Sequence, residues 1–305
     1  MNLTMKGIVK SFGANDVLKS VDFHLNGGEI CALLGENGAG KSTLMNILGG
    51  VLPADRGTIE LDGKPVTFST PAQSLNAGIA FIHQELNLIN DLPVYENMFI
   101  GREIKKKSGF LDHAAMYQKT KELFEKMEID VDPGEMVSAL DASFKQIVEI
   151  ARALMMNASI IIMDEPTTSL TDPEIERVFD MLRTLKEQKV GVVFISHKLR
   201  EVMEICDRYT VLRDGVMVAD GYVKDTSIPE IARDMVGHEV HTGQKSASAK
   251  LGEEVLRLEK LTQEPHFRDV NLSVRAGEVL GITGLLGDGR SELFRAVFGA
   301  QGKVR

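Results

Sequence analysis

Gly35-Glu36-Asn37-Gly38-Ala39-Gly40-Lys41-Ser42 decides how this chain is read. It fits the phosphate-binding pattern G-x-x-x-x-G-K-[ST]. Glycines at 35, 38 and 40 let backbone N–H groups close around phosphate oxygens without a Cβ in the way. Asn37 lies inside that cradle. Lys41 supplies a point charge for the β- and γ-phosphates, and the Ser42 hydroxyl suits Mg²⁺. Residues 29–34 (Glu29-Ile30-Cys31-Ala32-Leu33-Leu34) read as a buried strand running into the loop. Residues 43–48 read as a helix whose N-terminus faces the anion. The strand, loop and helix together predict binding of a nucleoside triphosphate.

Working outward, the 305 residues suffice for one large domain or two smaller ones, and 43% apolar content supports globular cores. No apolar run reaches the ~18 residues of a membrane span. The first six residues lack the apolar core of a signal peptide. Two cysteines make no disulfide framework, so a reducing cytosol is expected, with Cys31 a buried packing residue. A net charge of −9 argues against nucleic acid as a partner. Lys105-Lys106-Lys107 is the one compact basic run and reads as a solvated loop, with a contact to lipid or a partner as the alternative.

An internal repeat organises the chain. Gly28-Glu29 recurs as Gly277-Glu278, and Gly35, Gly38 and Gly40 recur as Gly284, Gly287 and Gly289. Ser42 and Leu44 recur as Ser291 and Leu293. The expected domains are a complete unit over 1–237, a polar linker over 238–253, and the truncated start of a second copy over 254–305. His238 and His241 in the linker have helical metal-ligand spacing, but no third ligand is evident.

Within the first copy, strands are expected over 2–34, with turns at 13–16 and 26–28. A hairpin is expected over 57–68 around Asp62-Gly63. Helices are expected over 112–128 and 144–156, and apolar strands over 159–163, 190–195 and 208–213. The alternation predicts a parallel sheet covered on both faces. A helix-rich stretch from about 86 to 157 reads as an inserted helical subdomain.

Three strand ends carry the remaining chemistry. Ile160-Ile161-Ile162-Met163-Asp164-Glu165 delivers Asp164 to a metal beside Ser42 and Glu165 to an attacking water. His197 follows the apolar strand ending Phe194-Ile195-Ser196, and Gln84 follows Ile79-Ala80-Phe81-Ile82-His83. Side chains at the carboxyl ends of parallel strands point into the ligand crevice of an open α/β sheet. Each of the three has a structural alternative: two solvated acids, a surface His and an ordinary polar Gln.

In the order phosphate loop, Gln84, Leu140-Asp141-Ala142-Ser143-Phe144-Lys145-Gln146, Asp164-Glu165, Asp172 and His197, the chain resembles the nucleotide-binding domain of an ATP-binding cassette (ABC) transporter. The resemblance covers residues 1–237. The tandem copy is similar to the double-cassette ATPases of bacterial monosaccharide importers of the ribose, galactose and xylose type. It implies an α/β fold: a P-loop NTPase (RecA-like) core with an antiparallel β subdomain and an inserted α-helical subdomain. The cofactors it implies are ATP and Mg²⁺. By the same resemblance Phe12 stacks on adenine, and Lys41, Ser42 and Thr43 hold phosphates and Mg²⁺. Gln84 senses the γ-phosphate, Glu165 is the catalytic base, His197 contacts the γ-phosphate, and Asp172 communicates across a dimer. Asp141, Ala142 and Ser143 occupy the signature motif. The implied partners are two membrane permease subunits, an extracytoplasmic sugar-binding protein, and a second cassette or a homodimer. The implied location is the cytoplasmic face of the bacterial inner membrane. The permease is expected to dock near Pro93-Val94-Tyr95-Glu96-Asn97.

Two positions depart from the family pattern. Asp141 and Ser143 stand where the signature has Ser and Gly, and Arg290 stands where the second phosphate loop has Lys. Asp141 is expected to put a carboxylate near a polyanion and weaken that half-site. Arg is no conservative replacement for Lys at a tight phosphate site. In a head-to-tail dimer both defects fall in one composite site. The expectation is therefore one catalytic and one degenerate site, with the catalytic residues in the first copy. The competing readings are a soluble tandem cassette acting on ribosomes or nucleic acid, and a module that holds ATP without turnover.

Overall fold

The computed structural model describes residues 1–237, 251–284 and 288–300. Two compact units are present, Met1–Val240 and His241–Arg305.

The first unit opens on a hairpin of two long strands, β1 (Leu3–Phe12) and β2 (Asn15–Leu25), followed by β3 (Ile30–Leu34) and α1 (Lys41–Leu48). A second hairpin, β4 (Arg56–Leu61) and β5 (Lys64–Val66), turns at Asp62-Gly63, where both residues have positive φ. A two-residue hairpin loop needs that conformation to match the strand twist. β4 pairs with β1, giving an antiparallel sheet of order β2-β1-β4-β5. Alternation sets its inner face: Leu3, Met5 and Ile8 are buried, as are Leu18, Val21, Phe23 and Leu25.

Next come α2 (Pro71–Asn76) and β6 (Ile79–Ile82), then three helices, α3 (Val94–Met98), α4 (His113–Lys126) and α5 (Ala142–Met155). The chain then alternates through β7 (Ile160–Asp164), α6 (Asp172–Glu187), β8 (Gly191–Ile195), α7 (Leu199–Ile205) and β9 (Arg208–Arg213). It closes on β10 (Val216–Tyr222) and α8 (Ile228–Val236). These strands and β3 form a six-stranded sheet of order β10-β9-β3-β8-β7-β6. Five strands are parallel, and β10 is an antiparallel edge on β9. Parallel strands are buried on both faces and so read as unbroken apolar runs. All of Ile30–Leu34 and all of Gly191–Ile195 are buried accordingly. Ile30, Ala32 and Leu34 pack into a core with α5, α6, α7 and α8. Cys31 and Leu33 face the other way, into a core shared with α1 and the antiparallel sheet. The expected α/β fold with its antiparallel and helical additions is therefore the fold observed.

The helical subdomain has its own core, including Val94, Met98, Met116, Phe124, Leu140 and Val148. It is less helical than the sequence suggests. Residues 83–93 and 99–112 are loops, braced by bridges between Pro93 and Met136 and between Lys105 and Leu111. The fully buried Asn97 organises the first loop. Its Oδ1 accepts from Ile89 N at 2.8 Å, and its Nδ2 donates to the carbonyls of Ile89, Leu92 and Pro93. Val94 and Asn97 thus face inward, while Pro93, Tyr95 and Glu96 are half-buried.

The second unit shows a hairpin of β11 (Glu254–Gln263) and β12 (Phe267–Arg275), then α9 (Arg290–Phe298). This repeats the order β1, β2, α1. The counterpart of β3 differs: residues 279–284 form no strand. In the first unit β3 sits between β8 and β9, and among the described residues the second unit offers no such neighbours. Val279 is 79% exposed, against 0% for its counterpart Ile30. Residues 238–250 of the expected linker, with His238 and His241, and residues 285–287 of the second phosphate loop lie outside the described residues.

Candidate functional site

Four parallel strands end at one edge of the six-stranded sheet, and each releases a loop there. β3 releases the phosphate loop, β6 releases Gln84, β7 ends in Asp164-Glu165, and β8 runs into Ser196-His197. The phosphate loop, Gln84, Asp164, Glu165 and His197 therefore share one side of the sheet because their strands are parallel neighbours.

The glycines of the loop are required by space as well as by φ. A Cβ on Gly35 would lie 2.2 Å from the Leu212 carbonyl oxygen, and one on Gly40 would lie 2.6 Å from Leu18 Cδ2. Gly38 has a φ of +86° with open space around it. Gly40 stands in the left-handed region as the residue before α1, and no side chain caps the helix. The first-turn N–H groups of α1 are thus unclaimed by a cap, as an anion site requires. Lys41 Nζ donates to the carbonyls of Gly35 at 2.7 Å and Glu36 at 3.0 Å. Burial lowers its pKa, opposed by the charges of Asp164 and Glu165. Ser42 and Asn37 are exposed, and Thr43 is half-buried.

Asp164 and Glu165 are pushed in opposite directions. Burial raises the Asp164 pKa, reinforced by the Glu165 charge and opposed by His83 and Lys41. Burial also acts to raise Glu165, but hydrogen bonds from His197 and Thr168 outweigh it and hold the carboxyl below the ordinary range. His197 Nδ1 lies 2.9 Å from Glu165 Oε1, and Thr168 Oγ1 donates to Oε2 at 3.0 Å. An ionised carboxylate only accepts, so the contact assigns the proton to Nδ1. Neighbouring carboxyls with opposed shifts can divide metal-holding and proton-accepting roles. Glu165 has a φ of +47°, the sharp exit from β7 that turns its side chain to His197.

Gln84 is exposed beyond β6. Its neighbour His83 stacks on Phe81 at 4.4 Å and acts on the Asp164 charge, which sets this strand end beside that of β7. Phe12 closes β1 with 49% of its surface exposed, and Lys10 Nζ lies 5.5 Å from its ring centroid.

The signature segment opens α5. Asp141 is the N-cap: its Oδ1 accepts from Phe144 N at 2.9 Å and from the Ser143 hydroxyl at 2.7 Å. Its Oδ2 pairs with Arg177 at 2.9 Å, and that guanidinium also covers the Phe144 ring at 4.8 Å. Burial acts to raise the Asp141 pKa, and these partners outweigh it and lower it. The like-charge cost expected from Asp141 assumed an unpaired carboxylate. Arg177, arriving from α6, offsets that charge. Ser143 is fully buried with its hydroxyl turned to Asp141, and Ala142 is half-buried beside it. Asp172 is exposed in the first turn of α6, as the first helical residue inside the Thr171–Glu174 capping box. It complements the helix dipole there whatever else it does.

The residues the sequence reading missed are second partners. Thr167 and Glu201 are buried, and the Thr167 hydroxyl donates to Glu201 Oε2 at 2.5 Å. Glu149, 3% exposed on α5, pairs with Arg152, whose Nη1 donates to the Asn87 carbonyl at 3.0 Å. This ties α5 to the segment after Gln84. No motif announces these contacts, although Glu149 and Arg152 stand at the i, i+3 spacing of helix neighbours.

The arrangement matches known proteins closely. Residues 18–168 match the family model described as ABC transporter. This is an ABC transporter cassette. A relative in Oceanobacillus iheyensis, named ribose import ATP-binding protein RbsA, is 45% identical over 98% of this chain and 60% of its own length. A Bacillus subtilis protein of the same name is 44% identical over 98% of this chain and 61% of its own. The cassette chain thus spans about 60% of the length of the curated relatives it matches. A solved ATP-binding cassette of an ABC transporter in its ADP conformation aligns with a TM-score of 0.68 and 28% identity, covering 78% of this chain and 100% of that one. A dimeric cassette bound to ADP and Pi aligns at 0.59 with 25% identity, covering 72% and 98%.

Proposed function

We propose that the first unit binds Mg²⁺-ATP and hydrolyses it to drive monosaccharide import through a separate membrane permease. The observation that carries the reading is the meeting of the 35–43 loop, Asp164 and the Glu165–His197 contact at one sheet edge. Lys41, Ser42 and Thr43 hold the phosphates, and Phe12 offers its open ring to the base. Glu165, kept ionised, accepts a proton from the attacking water. His197 orients that carboxylate through Nδ1 and turns Nε2 toward the γ-phosphate.

The donors present fit Mg²⁺. Ser42 hydroxyl, Asp164 carboxylate and Gln84 amide are hard oxygens, and one carboxylate suits a cation that shares its shell with phosphates. The ion would neutralise phosphate charge as it develops.

The proposed sugar class rests on the relatives' printed names, and a pentose such as ribose is the cargo they point to. Two permease subunits and an extracytoplasmic sugar-binding protein complete the proposed importer, with the chain on the cytoplasmic face of the membrane. Among the described residues no helix is long and apolar enough to cross a membrane. The proposed permease seat takes in 93–97 and a mostly apolar groove of about 560 Å³ lined by residues on either side of that segment in sequence, among them His83, Ile89 and Ile100, with Phe81 and Met156. Residues 1–237 act as the working cassette, 238–253 as a linker and 254–305 as the start of a second cassette. Arg290 opens α9 as Lys41 opens α1, and an Arg in place of that Lys makes the second phosphate loop the weaker nucleotide site.

ATP turnover measured against protein concentration, with nucleotide binding followed separately, tests the reading. Tight binding with little turnover by the chain alone is expected, because the second signature completes the catalytic site. A rate per molecule that climbs with concentration and persists in Glu165→Gln would reject Glu165 as the base.

A further inference from the structure

The Glu165–His197 contact joins two exposed loops, and something must set its length. On the strand side the last rung is Glu165 N donating to the Ile195 carbonyl at 2.9 Å. On the far side lies a closed ring of three residues. Thr167 Oγ1 donates to Glu201 Oε2 at 2.5 Å, Lys198 Nζ meets Glu201 Oε1 at 3.0 Å, and Lys198 Nζ donates to the Thr167 carbonyl at 2.8 Å. Thr167 is 1% exposed and Glu201 8%, whereas Thr168, Ser169 and His197 around them are open or partly open.

We propose that Thr167, Lys198 and Glu201 form a clasp that fixes the spacing of Glu165 and His197, and that the three are positioning residues for the reaction. This rests on the reading of the site as an ATP-hydrolysing one. Thr167 lies two residues beyond Glu165, and Lys198 directly follows His197. The contact is therefore bracketed between a backbone rung and the clasp. Neither loop can swing without breaking one of them. The chemistry of the clasp also points past mere stability. With the Lys198 side chain 33% exposed, the Lys198–Glu201 pair itself adds little stability, and the best-attested use of such a pair is to fix one arrangement. Valine has the shape of threonine and would fill the same space without a hydroxyl to satisfy. A misplacement of about 1 Å in a catalytic group costs on the order of a hundredfold in rate.

The test reads the contact directly. In ¹⁵N-histidine-labelled chain, the His197 ring signal is assigned with His197→Gln, and its Nδ1–H hydrogen-bonded signature is recorded at one fixed pH. Thr167→Val should lower the ratio of hydrogen-bonded to free ring about fivefold, the factor set by losing one ordinary hydrogen bond. Thr167→Ser, which keeps the hydroxyl, should restore it. Lys198→Met should act like Thr167→Val and serves if the valine variant does not fold. A Thr167→Val signal unchanged from the parent in a folded chain would overturn the clasp, as would failure of serine to rescue. Binding of a fluorescent ATP analogue is titrated on the same samples. Its absence from the parent would reject the nucleotide reading without touching the ring result.

Discussion

Replacing Asp141 separates its two structural jobs, and the geometry predicts what each contributes. As N-cap of α5 it accepts from Phe144 N, and a lost cap costs about 1 kcal/mol. As partner of Arg177 it forms an ion pair whose two side chains are each 39% exposed, so the pair contributes only about 0.5 kcal/mol. Asp141→Ala should therefore destabilise the chain by about 1.5 kcal/mol. Asp141→Ser keeps a capping oxygen and should cost about 0.5 kcal/mol. Arg177→Met loses the pair and the cover over Phe144, together about 1 kcal/mol. In the double variant Asp141→Ser with Arg177→Met, the pair is counted once, leaving a coupling of about 0.5 kcal/mol. The assay is urea unfolding followed by far-ultraviolet circular dichroism, since the chain has no tryptophan. A serine variant as unstable as the alanine variant would refute the capping role. A coupling of zero would refute the account of Arg177 as the group that offsets the Asp141 charge.

Two further outcomes follow from the site. Gly35→Ala places a Cβ 2.2 Å from the Leu212 carbonyl at a φ of +146°, so the loop must move. ATP affinity by equilibrium dialysis should fall at least about tenfold with the circular dichroism spectrum unchanged, and parental affinity would show that the cradle tolerates the shift. Glu165 has a folded pKa below its unfolded value of about 4.3, so its stabilising contribution is present above that pH. It is lost as pH falls through the lower folded value. Glu165→Gln should flatten this acid limb in urea midpoints measured from neutral pH downward, and an unchanged limb would assign it to other carboxylates.

The parts of this molecule legible in sequence are those written in one short run. The phosphate loop, the Asp164-Glu165 strand end and the His197 strand end each carry their own flanking strand, and the parallel sheet brings them together. What was not legible depends on partners distant in the chain. Asp141 reads as a bare negative charge until α6 brings Arg177 to it. Thr167 reads as an ordinary loop residue until α7 brings Glu201. Asn97 looks like surface on a polar segment, yet four hydrogen bonds make it the buried peg of the 89–93 loop. The apolar run at 279–284 repeats a strand sequence without forming a strand, because a parallel strand is made by its neighbours as much as by its own residues.

The central claim is that the first unit carries a working nucleotide site in which Glu165 and His197 act on the phosphate end. A crystal structure of the Glu165→Gln chain with ATP and Mg²⁺ tests it most directly. The account predicts the triphosphate wrapped by the 35–43 backbone, Lys41 released from the Gly35 and Glu36 carbonyls onto phosphate, and His197 facing the γ-phosphate. A nucleotide bound elsewhere, or a triphosphate in the loop with Lys41 still on those carbonyls and His197 turned away, would contradict it.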